Sequence, residues 1–336
     1  MHTLQRLTKK AFLFAVLHLS VYVSLCKAQG VSGVFDNQLM LSNETYSISF
    51  QWQGDSLHGA WEPYAALLLP VAIPNCPEQF YMQFDLGAPY SLFYKNKLMA
   101  IQARYPLAML PTDTAATLKD ISFKVGKMPV LAKEIVVRQF DSSKIDWTNR
   151  EKKEIIGTIG ADLIENKVVL IDYVQQKLLI GAALPSRITE KFTLSNFVFA
   201  GRSVLLPAMI RGEQTLLYFD TGSSAFELLA DKRTSEMLAL PNTAPLQYKV
   251  KSWDRVLTAN TFLTSDSVDI GFQRLPICRV TYIEDASTSQ IEQMKKMGIG
   301  GMVGNKLFLN SLLFLDTKNK KFGVLNYRQA KVQKKG

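Results

Sequence analysis

The chain repeats itself, and the repeat limits the folds open to it. Leu68-Leu69-Pro70-Val71-Ala72-Ile73 runs on to Phe84-Asp85-Leu86-Gly87-Ala88, and Leu205-Leu206-Pro207-Ala208-Met209-Ile210 runs on to Phe219-Asp220-Thr221-Gly222-Ser223. Each copy reads as an apolar strand, a turn, a second strand (Phe80 to Phe84; Leu216 to Phe219) and an Asp-x-Gly at its end. Asp120-Ile121-Ser122-Phe123-Lys124-Val125-Gly126 answers Asp266-Ser267-Val268-Asp269-Ile270-Gly271. Gly157-Thr158-Ile159-Gly160 leads after twelve residues to Asp172, and Gly301-Met302-Val303-Gly304 leads after twelve to Asp316, every position displaced by 144. One unit cannot close a structure alone, so the two are expected to pack about a pseudo-twofold axis.

The rest of the chain fits a β-rich fold. At 336 residues it is long enough for two lobes, each with a core of its own. Tyr46, Ile48, Phe50 and Trp52 alternate as one strand with a buried face, and Ile121 to Val125 and Ile135 to Val137 are further short strands. Helical patterns are confined to Ala225 to Leu238 and Ser289 to Met297, the latter opened by a Ser289-Gln290-Ile291-Glu292 capping box. The polar stretch Pro185 to Thr193 is the expected inter-lobe linker, giving an N-terminal lobe over 29–184 and a C-terminal lobe over 185–327.

The first 28 residues read as an export leader. Arg6, Lys9 and Lys10 precede an apolar run from Ala11 to Leu25, which is shorter than the ~20 residues of a membrane span. Cys26-Lys27-Ala28 offers a cleavage site before Gln29; lipidation at Cys26 is the weaker alternative, because Leu25 is large. The leader holds four cations and no acid, so the formal charge of +10 falls to +6 on its removal. Arg328, Lys331, Lys334 and Lys335 form a basic tail over 328–336, which leaves the body near neutral with mixed signs. That is a solvated surface rather than a nucleic-acid groove. His58 is the sole histidine past the leader, so a His-rich zinc site is excluded and Ser-His or Cys-His catalysis would have to run through a loop residue. Cys76 and Cys278, in different lobes, pair only if geometry brings them together; two buried thiols are the plainer reading.

An Asp-x-Gly at a strand end has a physical logic. The glycine lets the chain turn tightly and lets another backbone approach the carboxylate. Two such turns meeting on an axis place Asp85 and Asp220 side by side, where like charges cannot both ionise and one proton is shared. Phe219-Asp220-Thr221-Gly222-Ser223-Ser224 resembles the active-site motif of the pepsin and retropepsin aspartic peptidases. Met302-Val303-Gly304, with Leu313-Phe314-Leu315-Asp316, resembles the family's hydrophobic-hydrophobic-Gly loop and closing strand, and Thr158-Ile159-Gly160 resembles the same loop in the first lobe. The resemblance covers residues 65 to 327. It implies a mostly β, two-lobed pepsin-like fold with Asp85 and Asp220 catalytic, the glycine loops of Gly160 and Gly304 behind them, and Gly87, Thr221, Gly222 and Ser223 supporting the turns. It also implies a peptide or protein substrate with no cofactor and no metal; with the leader removed, the chain is expected to be an exported monomer without a membrane span.

The first-lobe motif departs from the pattern. Leu86 stands where the family has a threonine or serine whose hydroxyl bonds across to the opposite loop, and Ala88 replaces a serine that would bond the carboxylate. Leu86 is expected to bury against the opposite loop, with Thr221 turning to a backbone carbonyl. Asp85 to Gly160 spans 75 residues and Asp220 to Gly304 spans 84, so the second lobe carries the larger insertion. Tyr248-Lys249-Val250-Lys251-Ser252-Trp253-Asp254 is the candidate flap, with Trp253 near its tip or simply packed; the first lobe shows no tyrosine-bearing flap. Two readings stand: an exported aspartic endopeptidase, and a pepsin-like fold with impaired catalysis that binds peptides.

Overall fold

The computed structural model describes residues 36–57, 59–108, 116–139, 143–149, 151–252, 255–284 and 288–327. The leader with Cys26, His58, Trp253, the basic tail and the side chain of Ser289 lie outside the described residues.

The two repeat units fold alike. In the first, Ala60–Ala72 pairs antiparallel with Phe80–Phe84, which then runs parallel to Ile155–Ile159 with Phe84 beside Ile159. In the second, Ser203–Ile210 pairs with Glu213–Phe219, which runs parallel to Ile299–Val303 with Phe219 beside Val303. Both parallel ladders slip register at the same place, between Tyr81 and Met82 and between Leu216 and Leu217. A short strand lies between two others in each lobe. Leu92–Tyr94 is antiparallel to Ile155–Ile159 and parallel to Met128–Arg138, and Leu229–Ala230 bears the same relation to Ile299–Val303 and Arg279–Ile283. These pairings build an eight-stranded sheet in one lobe and a ten-stranded sheet in the other.

A six-stranded sheet joins them, with Val168–Asp172 antiparallel to Ser311–Asp316 at its centre. Leu170 pairs with Phe314, its own counterpart 144 residues on, so the pseudo-twofold axis passes between these two residues. Asp172 accepts the N–H of Gln175 at 2.8 Å and Asp316 accepts that of Asn319 at 2.8 Å, the same turn made twice. Gly126 and Gly271 likewise share a left-handed conformation, φ 58° and 56°. The arrangement is mostly β, duplicated and two-lobed in the pepsin-like manner. Its core is apolar and continuous across the lobes, with Phe84, Leu86, Phe219 and Phe308 among its fully buried members.

Two elements differ from their sequence expectation. The alternation from Tyr46 to Trp52 is two strands, Tyr46–Ser49 and Gln51–Leu57, because the chain passes from the joining sheet to the first-lobe sheet at Phe50, whose N–H binds the Gln176 carbonyl at 3.0 Å. Ala225 to Leu238 is helical only over Lys232–Leu238: Leu229–Ala230 is drawn into the sheet, and Asp231 caps the helix by accepting the N–H of Thr234 at 3.2 Å. The linker stretch holds a single helical turn, Ser186–Thr189. Cys76 and Cys278 are both free thiols, and Cys278 is exposed. Among the described residues no helix is long and apolar enough to cross a membrane.

Candidate functional site

The two Asp-x-Gly turns meet where the lobes join, and each is held by the same backbone pattern. The Asp85 N–H binds the Ile159 carbonyl at 2.9 Å and the Asp220 N–H binds the Val303 carbonyl at 3.0 Å, tying each turn to the strand that ends in its glycine loop. The turns close through Ala88 N–H to the Asp85 carbonyl, 3.1 Å, and Ser223 N–H to the Asp220 carbonyl, 3.2 Å. Gly160 and Gly304 press against their backs: a Cβ on Gly160 would lie 2.7 Å from the Ala88 carbonyl oxygen, and one on Gly304 would overlap that of Ser223. No side chain fits at either position.

The carboxylates face one another. Asp85 Oδ1 accepts the N–H groups of Gly87 at 2.9 Å and Ala88 at 3.3 Å; Asp220 Oδ1 accepts those of Gly222 at 2.8 Å and Gly87 at 3.1 Å. One N–H, that of Gly87, thus serves both carboxylates. A Cβ on Gly87 would sit 2.5 Å from Asp220 Oδ1, and one on Gly222 would strike Asp85 in the same way, so glycine at both positions is what allows the approach. Asp85 and Asp220 are both 0% exposed, so the site is closed to solvent as it stands.

Polar support differs between the two. Asp220 Oδ2 accepts the hydroxyl of Ser223 at 2.8 Å. The matching position in the first lobe is Ala88, and no N–H or hydroxyl donor reaches Oδ2 of Asp85. Burial raises both carboxyls above the usual range, and the charge of Asp220 raises Asp85 further, well above it. On Asp220, a hydrogen bond with Asp85, the Ser223 hydroxyl and the Gly222 and Ser223 N–H groups oppose that rise. The donors around Asp220 favour its charged form, and Asp85 lacks the matching hydroxyl.

Beneath the pair, the Thr221 hydroxyl accepts the N–H of Leu86 at 2.8 Å and donates to the carbonyl of Phe84 at 2.8 Å. Leu86 is fully buried in the core. Tyr248 is half-buried in the hairpin of Leu246–Ser252 and Arg255–Leu263, its hydroxyl 3.0 Å from that of Thr261.

Several neighbours were not singled out by the sequence. Tyr218, two residues before Asp220, is buried and points its hydroxyl at the carbonyls of Leu86 and Gly87, 3.5 and 3.4 Å away. Burial and the two carboxylates keep its phenol protonated. Asn305 binds the Thr221 carbonyl at 2.9 Å and the Ser224 hydroxyl at 3.0 Å, and accepts the hydroxyl of first-lobe Tyr173 at 2.8 Å. One signal did stand in the sequence: Asn305 and Lys306 follow Gly304 where Ala161 and Asp162 follow Gly160.

No family model matches the chain, and no curated protein matches it. Among solved structures, the aspartic proteinase from Irpex lacteus aligns over 84% of this chain and 97% of its own, at 10% identity and a TM-score of 0.47.

Proposed function

We propose that the chain is an exported aspartic-type endopeptidase that hydrolyses peptide bonds through Asp85 and Asp220. The observation that carries this reading is the shared Gly87 N–H, which holds the two buried carboxylates side by side where the lobes join. In the reaction, Asp220 takes a proton from water as its oxygen attacks the carbonyl carbon, and Asp85 gives its proton to the carbonyl oxygen. The resulting gem-diol collapses as Asp220 passes its proton to the leaving nitrogen and Asp85 recovers one from a diol hydroxyl, which restores the starting protonation. Export follows from the basic and apolar leader rather than from the fold. The test is cleavage of a broad peptide library from acidic to neutral pH by the wild type, Asp85→Asn and Asp220→Asn. Cleavage by the wild type alone, with all three folded, is the expected result. Cleavage retained in either variant excludes chemistry through the pair, and a wild type that binds peptides without cutting them is a binding module instead.

A further inference from the structure

The symmetry of the two hairpins leading into the site breaks sharply. Leu205 pairs with Tyr218, two residues before Asp220, and its strand begins just two residues earlier, at Ser203. Leu68 pairs with Gln83, two residues before Asp85, but its strand reaches back eight residues to Ala60, paired with Gln51–Leu57 on either side of an irregularity between Gln53 and Asp55. The first-lobe hairpin therefore runs past the level of the carboxylates by about six residues more, roughly 20 Å of strand. Its far end docks on the opposite lobe. Leu57 is buried in one apolar cluster with Phe226, Val250 and Leu257, and Glu62 pairs with Lys306.

That ion pair lies beside the site. Lys306 follows the Gly304 loop, and its N–H binds the Ser224 carbonyl at 3.1 Å, four residues from Asp220. The pair is largely buried, with 8% of the Glu62 and 17% of the Lys306 side chain exposed. Glu62, Lys306, Arg279 and Tyr248 line one small cavity. Glu227 lines it too, but its carboxylate accepts the N–H groups of Cys278 and Arg279. The second lobe thus offers two cations there, and the acid facing Lys306 arrives on the hairpin from the other lobe.

A peptide cannot reach carboxylates that expose no surface, so on the peptidase reading, on which this inference rests, an element beside them has to move. The long hairpin, whose Leu57 and Ala65 share a buried cluster with Tyr218 and Phe226, is the one taken to withdraw. Lys306 then loses its acid, and Lys306 and Arg279 are left as two cations lining the cavity without the Glu62 carboxylate. We propose that Lys306, with Arg279, forms a specificity subsite for an acidic side chain of the peptide substrate, and that Glu62 occupies this subsite in the closed state. The matching contact in the other lobe, Arg202 with Glu165 at 2.9 Å, comes from the hairpin that stops at the carboxylates and has no such span to clear.

The test is fluorescence anisotropy on the full chain carrying Asp85→Asn, so that binding is read without turnover. The probes are labelled dodecapeptides in which one Glu, Gln or Lys is stepped through a leucine–alanine background. At one position the Glu peptide should bind at least about tenfold tighter than its Gln counterpart. Glu62→Gln should tighten the Glu peptide further, and Lys306→Glu should shift the preference to Lys. Where Lys306→Glu does not fold, the exchange Glu62→Lys with Lys306→Glu keeps a pair and should still prefer the Lys peptide. Binding that ignores peptide charge at every position overturns the subsite and leaves the peptidase reading standing. Absence of binding by every form overturns both.

Discussion

The Thr221 hydroxyl takes the N–H of Leu86 from across the pseudo-twofold axis at 2.8 Å, and Leu86 has no hydroxyl with which to answer Thr221. The lock beneath the carboxylates is therefore one-sided, and Thr221 holds it by also donating to Phe84. Thr221→Val keeps the shape and leaves a buried N–H and a buried carbonyl without that hydroxyl. At ~1–3 kcal/mol for each unsatisfied group, chemical denaturation should show a loss of roughly 2–5 kcal/mol. A loss below about 0.5 kcal/mol would show that the lobes are held without this lock.

Leu86→Thr tests the other half. Leu86 is fully buried among the first-lobe core residues, so the smaller side chain forfeits packing worth ~2 kcal/mol or more. A restored cross-axis hydrogen bond offsets about 1 kcal/mol of that. The expected outcome is a lower melting temperature with turnover maintained or raised. An unchanged melting temperature together with unchanged turnover would mean that Leu86 does not hold this turn.

The uneven support of the two carboxylates sets the expected pH profile. On the proposed mechanism cleavage needs Asp220 ionised and Asp85 protonated, so activity should rise as Asp220 loses its proton and fall as Asp85 loses its own. Burial raises both groups, which places the active window above the ordinary carboxylate range of about 4. Ser223→Ala removes a donor from Asp220, makes its charge harder to form, and should move the acid limb to higher pH. Ala88→Ser offers Asp85 the hydroxyl it lacks, eases its ionisation, and should move the alkaline limb to lower pH. pH–rate profiles of kcat for the two variants check this; movement of the opposite limb in either would reverse the roles given to Asp85 and Asp220.

The duplication, the facing turns and the glycine loops were legible because they are local: a strand end, an Asp-x-Gly and a fixed displacement of 144 lie along the chain. What the sequence hid is relational. Ala225 to Ala230 carries helix-forming residues, yet Leu229 is claimed by strands on both sides, at Thr281 and Met302, both more than 50 residues away. Tertiary pairing overrode propensity there. Tyr218 and Glu62 are ordinary residues of strands, and only the register shows that one lies under Gly87 and the other meets Lys306 across the lobes. The flap motif sought after the first aspartate misses the long hairpin before it, since hairpin length past the carboxylates is read from strand pairing and not from composition.

Asp162 carries the last prediction. It follows the Gly160 loop, is buried, and accepts the N–H and the hydroxyl of Ser91, each at 2.7 Å. Burial raises its pKa to about 6 despite those donors and the nearby Arg202 guanidinium. The folded value lies above the unfolded one, so the folded state holds more protons between about 4 and 6, and stability falls as pH rises through that window. The stability present below the window and lost above it is up to about 3 kcal/mol. Asp162→Asn cannot ionise, and its amide can donate to the Ser91 oxygen while its carbonyl accepts the Ser91 N–H. Asp85 and Asp220 titrate with the same sign in both proteins, so the difference between wild type and variant isolates Asp162. Urea denaturation across pH 4 to 7 should show the variant gaining on the wild type by up to that amount; a difference that stays flat with pH would place the Asp162 titration outside the window.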